Sequence, residues 1–329
     1  MKEQYIRDLP EGGRVDSLFA LRSRDIRSAR TGEAYLALEL GDCTGSIPAV
    51  MFRPSSSDQV VPVGSVVRVR GTVTTYRGVR RVSIRSLRPE TSYDREDLLA
   101  SSVRERSELM AELRALVRGV GDRRLRRVIN EVFGSPGLIE RFASCPAEIG
   151  RHHAYVGGLL EHTVTVATLC LSIARSYPLL DSDLLVTAAL LHDVGRVEGL
   201  SYETSVGHTD AGRLIGHVVL SERIVSRAVE KLGDEIPADL SLRLSHAILA
   251  HHAEAGSGGV PEPCSLEALV LRHADDLDAC TAAFIEAVAG AAVLEERWTD
   301  GANGFARSLL VPSATASVAS PSVGVPRCA

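Results

Sequence analysis

The chain has 329 residues, a formal net charge of −5, 45% hydrophobic residues and 24% charged residues. This composition is ordinary for a globular protein and excludes a disordered chain or a fibre. No apolar run approaches the ~18–20 residues that cross a bilayer, and the charged N-terminus lacks the apolar core of a signal peptide. We therefore expect a cytoplasmic protein without a membrane segment, and the length predicts two domains.

Charge and histidine are unevenly distributed along the chain. Residues 1–90 contain 15 Lys and Arg against 10 Asp and Glu, whereas residues 91–329 contain 22 against 32. All ten histidines lie between His152 and His273. The six cysteines form no C-x-x-C pair, which disfavours a thiolate zinc site. A basic part and an acidic, histidine-bearing part indicate two different tasks.

The predicted elements change type near residue 90. Residues 13–90 contain five short β-branched or alternating runs separated by glycine turns, which predict a small barrel or sandwich. Apolar residues then recur at helical spacing. We expect an N-terminal β-domain over 1–90, a helical connector over 91–150, an all-helical domain over 151–300 and a disordered tail over 301–329.

The sharpest local signal is His192-Asp193, which closes the apolar helix LLVTAALLHDV. Two polar side chains at the end of a buried helix cost free energy unless a partner binds them, and a divalent metal is one such partner. Each histidine alone is equally compatible with a hydrogen-bonded core or surface imidazole. Further candidate ligands recur on separate predicted helices: His162, His217, His251, His252, Asp275 and Asp276. Imidazoles and carboxylates without thiolates suit Mn, Fe, Co, Ni or Zn.

Five segments carry a resemblance to a known family: RHHAYVGGLLEHT, ALLHDVGR, HTDAGRLIGHVVLSERI, LAHHAEAGSGGVPEP and LVLRHADDLDA. They resemble the HD superfamily of metal-dependent phosphohydrolases and, more closely, the YhaM-type 3′–5′ exoribonucleases, also called the CMP-binding-factor family. The resemblance covers residues 13–295. It implies an N-terminal OB-fold β-barrel followed by an all-α HD domain. It also implies hydrolysis of single-stranded RNA, with single-stranded DNA as an alternative, to nucleoside 5′-monophosphates by metal-activated water.

The same resemblance implies a set of metal ligands. We expect them to bind two divalent ions, and Mn²⁺ is the metal that we expect before Fe, Co, Ni or Zn. The first ion takes His162, His192, Asp193 and Asp275. Asp193 is also expected to be catalytic and to bridge to a second ion, which His217 and His251 complete, with His252 as an alternative or additional ligand.

Other polar residues in these segments are candidates for supporting roles. Arg196 stands where the family usually has Lys, and we expect it to neutralise substrate phosphate; a helix-end arginine on the surface is the alternative. Asp276 is expected to orient a ligand imidazole. Substrate contact or purely structural roles remain open for four residues: His152, His153, His208 and Arg213.

The β-domain has a basic stretch. Residues 60–89 contain seven arginines and no acidic residue. Strand alternation places Arg68 with Arg70, and Arg81 with Arg85, each pair on one strand face. A positive groove with aromatic side chains is how OB-folds bind single strands; a solvated barrel face is the alternative. The candidate nucleic-acid contacts are Tyr35, Phe52, Arg68, Arg70, Tyr76, Arg77, Arg80, Arg81 and Arg85.

Two other functions stay open at this point. The HD site alone is compatible with a phosphohydrolase of small nucleotides, although a free nucleotide needs no strand-binding domain. A non-catalytic nucleic-acid-binding adaptor is the second alternative, which the complete ligand set disfavours. The helical segment 94–150 is compatible with a homo-oligomer or with an intramolecular strut.

Overall fold

A computed structural model describes residues 2–28, 32–150, 152–253, 262–293, 297–301 and 304–312. It divides into two compact units. The first comprises the chain up to Ser101 together with Tyr202–Ser205, and the second comprises Ser102–Ser201 and the chain from Val206 onward. Residues 102–150 therefore lie in the same unit as the histidine-bearing helices. The tail expected at 301–329 falls outside the described residues beyond position 312.

The first unit is a closed five-stranded barrel. Its strands are β1 (Arg14–Ser28), β2 (Ala34–Asp42), β3 (Gly45–Phe52), β4 (Val66–Tyr76) and β5 (Val79–Pro89), with the short helix α1 (Ser56–Gln59) before β4. The strand order is β1-β2-β3-β5-β4, with β1 also paired to β4. All pairs are antiparallel except β3 with β5. This is the Greek-key topology of an OB-fold, which confirms the predicted fold of the N-terminal part.

Alternation along the strands builds the interior of the barrel. On β4, Val67, Val69 and Val73 are fully buried, while Arg68 and Arg70 between them are exposed. Because side chains alternate between the two faces of a strand, every second residue points inward. One face of the strand therefore fills the core, and the other carries charge. The β4–β5 hairpin turns tightly because Arg77 and Gly78 both adopt positive φ.

The described part of the second unit is mainly helical, with one short antiparallel ribbon of two strands, each two residues long. Its helices are α2 (Arg106–Gly119), α3 (Arg123–Phe133), α4 (Leu138–Phe142), α5 (Gly158–Ala174), α6 (Ser182–Leu191), α7 (Arg196–Gly199), α8 (Asp210–Leu214), α9 (His217–Leu232), α10 (Ala238–Ala250) and α11 (Leu266–Val293). The ribbon pairs β6 (Leu200–Ser201) with β7 (Gly207–His208). Helices α5 and α6 form the centre, and every residue of α6 from Leu184 to Leu191 is buried. Within the described residues, no helix is both long and apolar enough to span a membrane.

Several predicted helices end where the candidate ligands begin. His192 is the C-cap of α6, and His251 is the C-cap of α10. The sequence RLIGHVVLSERIV predicts one continuous helix, but Gly216 adopts φ 83° and separates α8 from α9. His217 thereby becomes the first residue of α9. These ends place side chains at one point without interrupting the packed helix interiors.

The turn after α6 packs tightly against the start of α9. A Cβ atom on Gly195 would lie 2.3 Å from Ser221 N and 2.4 Å from His217 O, which are backbone atoms and cannot rotate away. Gly195 N also donates a hydrogen bond to Ser221 Oγ at 2.8 Å. Glycine at this position therefore sets how closely the residues after Asp193 approach His217.

We expect Gly195→Ala to lower the free energy of unfolding by about 1–3 kcal/mol, because the added methyl group must push α9 away. The measurement is chemical denaturation monitored by circular dichroism. Gly119→Ala is the matched control, because a Cβ there meets nothing within 4 Å. An equal loss of stability in both variants would contradict the tight contact at Gly195.

Candidate active site

Seven side chains from five helices and their ends converge in the second unit. His162 lies on α5, His192 and Asp193 follow α6, and His217 opens α9. His251 and His252 follow α10, and Asp275 lies on α11. Their potential metal-ligand atoms form three groups, and the atoms within each group lie within 4.8 Å of one another. The groups are His162 with His192 and Asp193, His192 with His251 and Asp275, and His217 with His251 and His252. The sequence-predicted ligand set is thus brought together in space.

One group of atoms surrounds a point between α5, α6 and α11. His162 Nε2 lies 3.3 Å from His192 Nε2 and 3.1 Å from Asp275 Oδ1. Asp193 Oδ2 lies 3.9 Å from His162 Nε2 and 3.8 Å from His192 Nε2. Two imidazole nitrogens and two carboxylate oxygens at such separations are a donor set that suits a transition-metal cation.

The other oxygen of Asp193 faces a second group. Asp193 Oδ1 lies 3.3 Å from His217 Nε2 and 3.9 Å from His251 Nε2. His252 is more exposed, and its Nε2 lies 3.5 Å from Asp275 Oδ2. The two oxygens of one carboxylate therefore address two different sets of imidazoles, which is the geometry of a bridging ligand.

The far nitrogens of the buried imidazoles are held by hydrogen bonds. His192 Nδ1 lies 2.8 Å from Ala189 O, and His251 Nδ1 lies 2.6 Å from Ile248 O. Both acceptors are carbonyls at a helix C-terminus, where the last carbonyl groups have no partner within the helix. Donation from Nδ1 leaves the Nε2 lone pair of each ring directed into the cluster.

Burial decides the charge state of most of these rings. It lowers the pKa of His192, takes the pKa of His251 well below its usual range and lowers that of His217 to about 4. These three imidazoles are neutral near pH 7 and can act as ligands. His162 differs: burial lowers its pKa, but hydrogen bonds to Asp275 and Asp278 outweigh burial and raise it to about 10.

Three buried polar atoms in this cluster have no hydrogen-bond partner. They are Asp193 Oδ1, His251 Nε2 and Asp275 Oδ2. A buried polar atom without a partner costs about 1–3 kcal/mol, and an ionised one costs more. All three belong to the groups described above, and a cation bound among them would satisfy them. The residues present therefore fit a divalent metal centre.

Arg196 lies inside this cluster and not on the surface. Its side chain is buried, Nε donates to Asp193 Oδ2 at 2.6 Å, and Nη2 lies 3.3 Å from His217 Nε2. Although burial raises the pKa of Asp193, the charge of Arg196 is the largest influence that lowers it, and that pKa lies well below the usual range. The guanidinium thus keeps the bridging carboxylate ionised.

The carboxylate that contacts the His162 imidazole belongs to Asp278 and not to the expected Asp276. Asp276 is exposed, whereas Asp278 is buried and its Oδ2 lies 2.7 Å from His162 Nδ1. His153 is also buried, with Nε2 3.0 Å from the same oxygen. Asp278 is three residues after Asp275, so both face the same side of α11. That spacing within ADDLD was the available signal in the sequence.

The remaining candidates lie farther out. His152 is half-buried with Nδ1 3.2 Å from Glu148 Oε2, and burial lowers its pKa to about 4. His208 on the β6–β7 ribbon and Arg213 on α8 are exposed. Neither belongs to a group of potential metal ligands within the described part of the chain.

The barrel of the first unit carries a separate groove of about 930 Å³. It runs over β2, β3 and the β4–β5 turn, the region that binds oligonucleotides in OB-folds. Tyr35 and Phe52 are cross-strand partners with ring centroids 5.7 Å apart. The Arg81 guanidinium lies 4.4 Å from the Tyr76 ring, and Arg77 lies 5.4 Å from it. Aromatic faces and arginines together form a surface on which bases can stack.

The other predicted arginines lie outside this groove. Arg68 and Arg70 both donate to Asp16, at 2.8 and 2.9 Å, so one carboxylate offsets part of their charge. Arg80 donates to Ile6 O at 3.1 Å. Arg85 is exposed beside the register shift between β4 and β5. The groove itself also contains Asp25 and Glu39, so its charge is mixed.

Comparison with known proteins agrees with this geometry. Residues 159–280 match the HD domain family. The chain is 32% identical over 272 residues to "3′-5′ exoribonuclease YhaM" of Bacillus subtilis strain 168, covering 82% of this chain and 85% of that protein. The YhaM of Listeria monocytogenes is 29% identical over 283 residues, covering 84% and 88%. The second OB-fold domain of replication protein A from Methanococcus maripaludis is 22% identical with a TM-score of 0.23, covering 29% of this chain and all of that one.

The fold and the site thus define a metal-dependent hydrolase of the HD class that carries an OB-fold barrel at its N-terminal end. Within that class, the chain belongs to the family of the YhaM 3′–5′ exoribonucleases. The family and fold expected from the five sequence segments are thereby confirmed.

We expect Mn²⁺ to raise the melting temperature of the chelator-treated protein, because bound cations satisfy the partnerless atoms of Asp193, His251 and Asp275. At 100 times the dissociation constant, the gain in unfolding free energy is about 2.7 kcal/mol. The measurement is differential scanning calorimetry at increasing Mn²⁺.

Asp193→Ala should remove most of that metal-induced shift, whereas the exposed Asp239→Asn should retain it. A shift of equal size in the Asp193 variant would place the cation elsewhere.

We expect Phe52→Ala and Tyr76→Ala each to weaken binding of a single-stranded oligonucleotide by about 1–3 kcal/mol, the contribution of one base stacked on an aromatic ring. The measurement is fluorescence anisotropy with chelator present, so that binding is separated from hydrolysis. Tyr177→Ala is the control, because Tyr177 is an equally exposed aromatic residue outside the groove. Unchanged binding in both groove variants would show that strands do not stack there.

Proposed function

We propose that this protein is a 3′–5′ exoribonuclease that hydrolyses single-stranded RNA to nucleoside 5′-monophosphates with two divalent ions, Mn²⁺ first among them. The observation that carries the proposal is the placement of Asp193, whose two oxygens face two different sets of imidazoles. Membership in the YhaM family supports RNA as substrate and the 3′ end as the starting point. A cytoplasmic location is part of the same proposal, because cellular RNA is the proposed substrate.

The ligands divide between two ions. His162, His192, Asp193 and Asp275 would hold the first ion, and Asp193 would share the second with His217 and His251, while His252 is close enough to Asp275 to take part. Bound divalent cations supply a water that is deprotonated near neutral pH and neutralise the charge of the phosphodiester. Burial keeps His192, His217 and His251 neutral, and Arg196 keeps the Asp193 carboxylate ionised.

Arg196 also binds the scissile phosphate. A cleft of about 900 Å³ opens beside the cluster and is lined by Arg196 together with His217, His252 and Asp275. Among the described residues that line it, Arg196 is the only arginine or lysine, whereas Glu148, Asp276 and Glu286 are acidic. A polyanion is therefore attracted at the cluster and repelled along the rest of the cleft. A guanidinium in this place can contact two phosphate oxygens at once.

The barrel groove binds the single-stranded RNA, and the histidine and aspartate cluster hydrolyses that RNA from its 3′ end. Its aromatic side chains accept any base because every base has a stacking face, and they accept DNA as well as RNA. A small-nucleotide phosphohydrolase does not need such a groove. The groove therefore favours a polynucleotide substrate over a free nucleotide.

We expect the protein with Mn²⁺ to convert a 5′-labelled oligoribonucleotide into a ladder that shortens from the 3′ end, with nucleoside 5′-monophosphates as the product. Arg196→Ala should lower kcat by about 10²–10³-fold, the usual loss when one charge-stabilising donor is removed. Gel electrophoresis of the labelled strand and chromatography of the mononucleotides check both expectations.

Asp239→Asn, remote from the cluster, serves as the control and should cleave like the unchanged chain. Release of mononucleotides from nucleoside triphosphates alone, with intact oligoribonucleotide, would replace the proposal by the small-nucleotide alternative.

A further inference from the structure

A buried chain of hydrogen bonds leads away from the metal-facing His162. Its Nδ1 lies 2.7 Å from Asp278 Oδ2, and the same oxygen lies 3.0 Å from His153 Nε2. His153 Nδ1 lies 2.7 Å from the hydroxyl of Tyr155, which donates to Glu161 Oε2 at 2.9 Å. The chain ends at Ser102 Oγ, which donates to Glu161 at 2.6 Å.

Position within its helix explains why His162 needs this support. His192 and His251 follow helix C-termini, where free backbone carbonyls accept their Nδ1 protons. His162 lies inside α5, where the carbonyl oxygens are engaged in helical hydrogen bonds. An acceptor for its Nδ1 must therefore come from a side chain of another element, and Asp278 on α11 supplies it.

The side chains that form this series of hydrogen bonds are buried, and burying their polar groups costs free energy. Asp278, His153 and Glu161 are 7%, 2% and 3% exposed. His153 also adopts φ 52°, a left-handed conformation that costs a residue with a side chain on the order of 1 kcal/mol. A strained backbone and buried carboxylates persist only where the surrounding contacts hold them in place. Here those contacts converge on a single oxygen atom, Asp278 Oδ2.

We propose that Asp278 is a positioning residue of the metal centre, and that His153 and Tyr155 hold Asp278 in place. Asp278 fixes the tautomer and the ring orientation of His162, so that Nε2 faces His192 and Asp275 before any cation arrives. The carboxylate also makes the imidazole a stronger ligand. This inference rests on the metal centre of the proposed function, but it does not depend on the identity of the substrate.

Calorimetric titration of the chelator-treated full chain with Mn²⁺ alone tests the proposal without RNA. We expect Asp278→Asn to weaken Mn²⁺ binding by about 10–100-fold, as for other groups that orient a ligand imidazole. His153→Gln, which leaves the Asp278–His162 contact intact, should weaken Mn²⁺ binding measurably but less, by up to about 10-fold. Asp239→Asn is the matched control and should bind like the unchanged chain.

Kinetics on oligoribonucleotide separates positioning from a purely structural role. If Asp278 positions His162, the Mn²⁺ concentration for half-maximal activity rises in Asp278→Asn, while kcat at saturating Mn²⁺ stays close to that of the unchanged chain. A folded Asp278→Asn variant with unchanged Mn²⁺ affinity overturns the proposal. If that variant does not fold, unchanged affinity in His153→Gln overturns it equally. Mn²⁺ binding without RNA cleavage by the unchanged chain would reject the proposed function and leave this test intact.

Discussion

The structure of the catalytic unit depends on the burial of one ionised carboxylate. Asp193 is 2% exposed, and removing a carboxylate from water costs several kcal/mol unless charges and hydrogen bonds compensate. Arg196 compensates on one side, while Oδ1 on the other side has no hydrogen-bond partner. The unit is therefore arranged so that imidazoles surround Asp193 from several helices. A cation among them completes the compensation that the protein alone leaves unfinished.

Helix ends make this arrangement compatible with a packed core. His192, His217 and His251 each lie at an end of α6, α9 or α10, where the backbone leaves polar groups without partners. The free carbonyls orient two of the imidazoles, and Gly216 and Gly195 bring α9 close enough to present the third. Only His162 and Asp275 come from helix interiors, and His162 relies on a side chain of α11 for its orientation.

The two units differ in how they treat charge. The barrel has arginines on exposed strand faces, where Asp16 pairs with Arg68 and Arg70, and Glu39 lies in the groove. The helical unit buries Asp193, Asp275 and Asp278 beside ring nitrogens, which suits the binding of cations. The net charge of −5 is thus the sum of two surfaces suited to different ligands. Under the proposed function, stacking of bases on Tyr35, Phe52 and Tyr76 would reduce the need for a strongly positive groove.

Patterns local in sequence were enough to predict the barrel, the helical unit and the residues that gather in the cluster. Apolar residues at every second position of a strand, or at every third to fourth position of a helix, indicate which side chains are buried. His192-Asp193 at the end of an apolar helix has few explanations other than a bound cation. The same patterns do not report the partners that a side chain finds on another element. Spacing placed Arg68 and Arg70 on one face, but only the neighbouring strand β1 reveals that both engage Asp16.

The sequence by itself determined the fold class, the family and the candidate ligands, because these follow from periodicity and from motifs contained within single elements. Tertiary structure alone decided which oxygen of Asp193 faces which imidazoles, that Arg196 lies inside the cluster, and that Asp278 and not Asp276 contacts His162. The physical reason is that carboxylates two residues apart on a helix, such as Asp276 and Asp278, point about 200° apart. Their environment is then set by the helices packed around them, which no local pattern records.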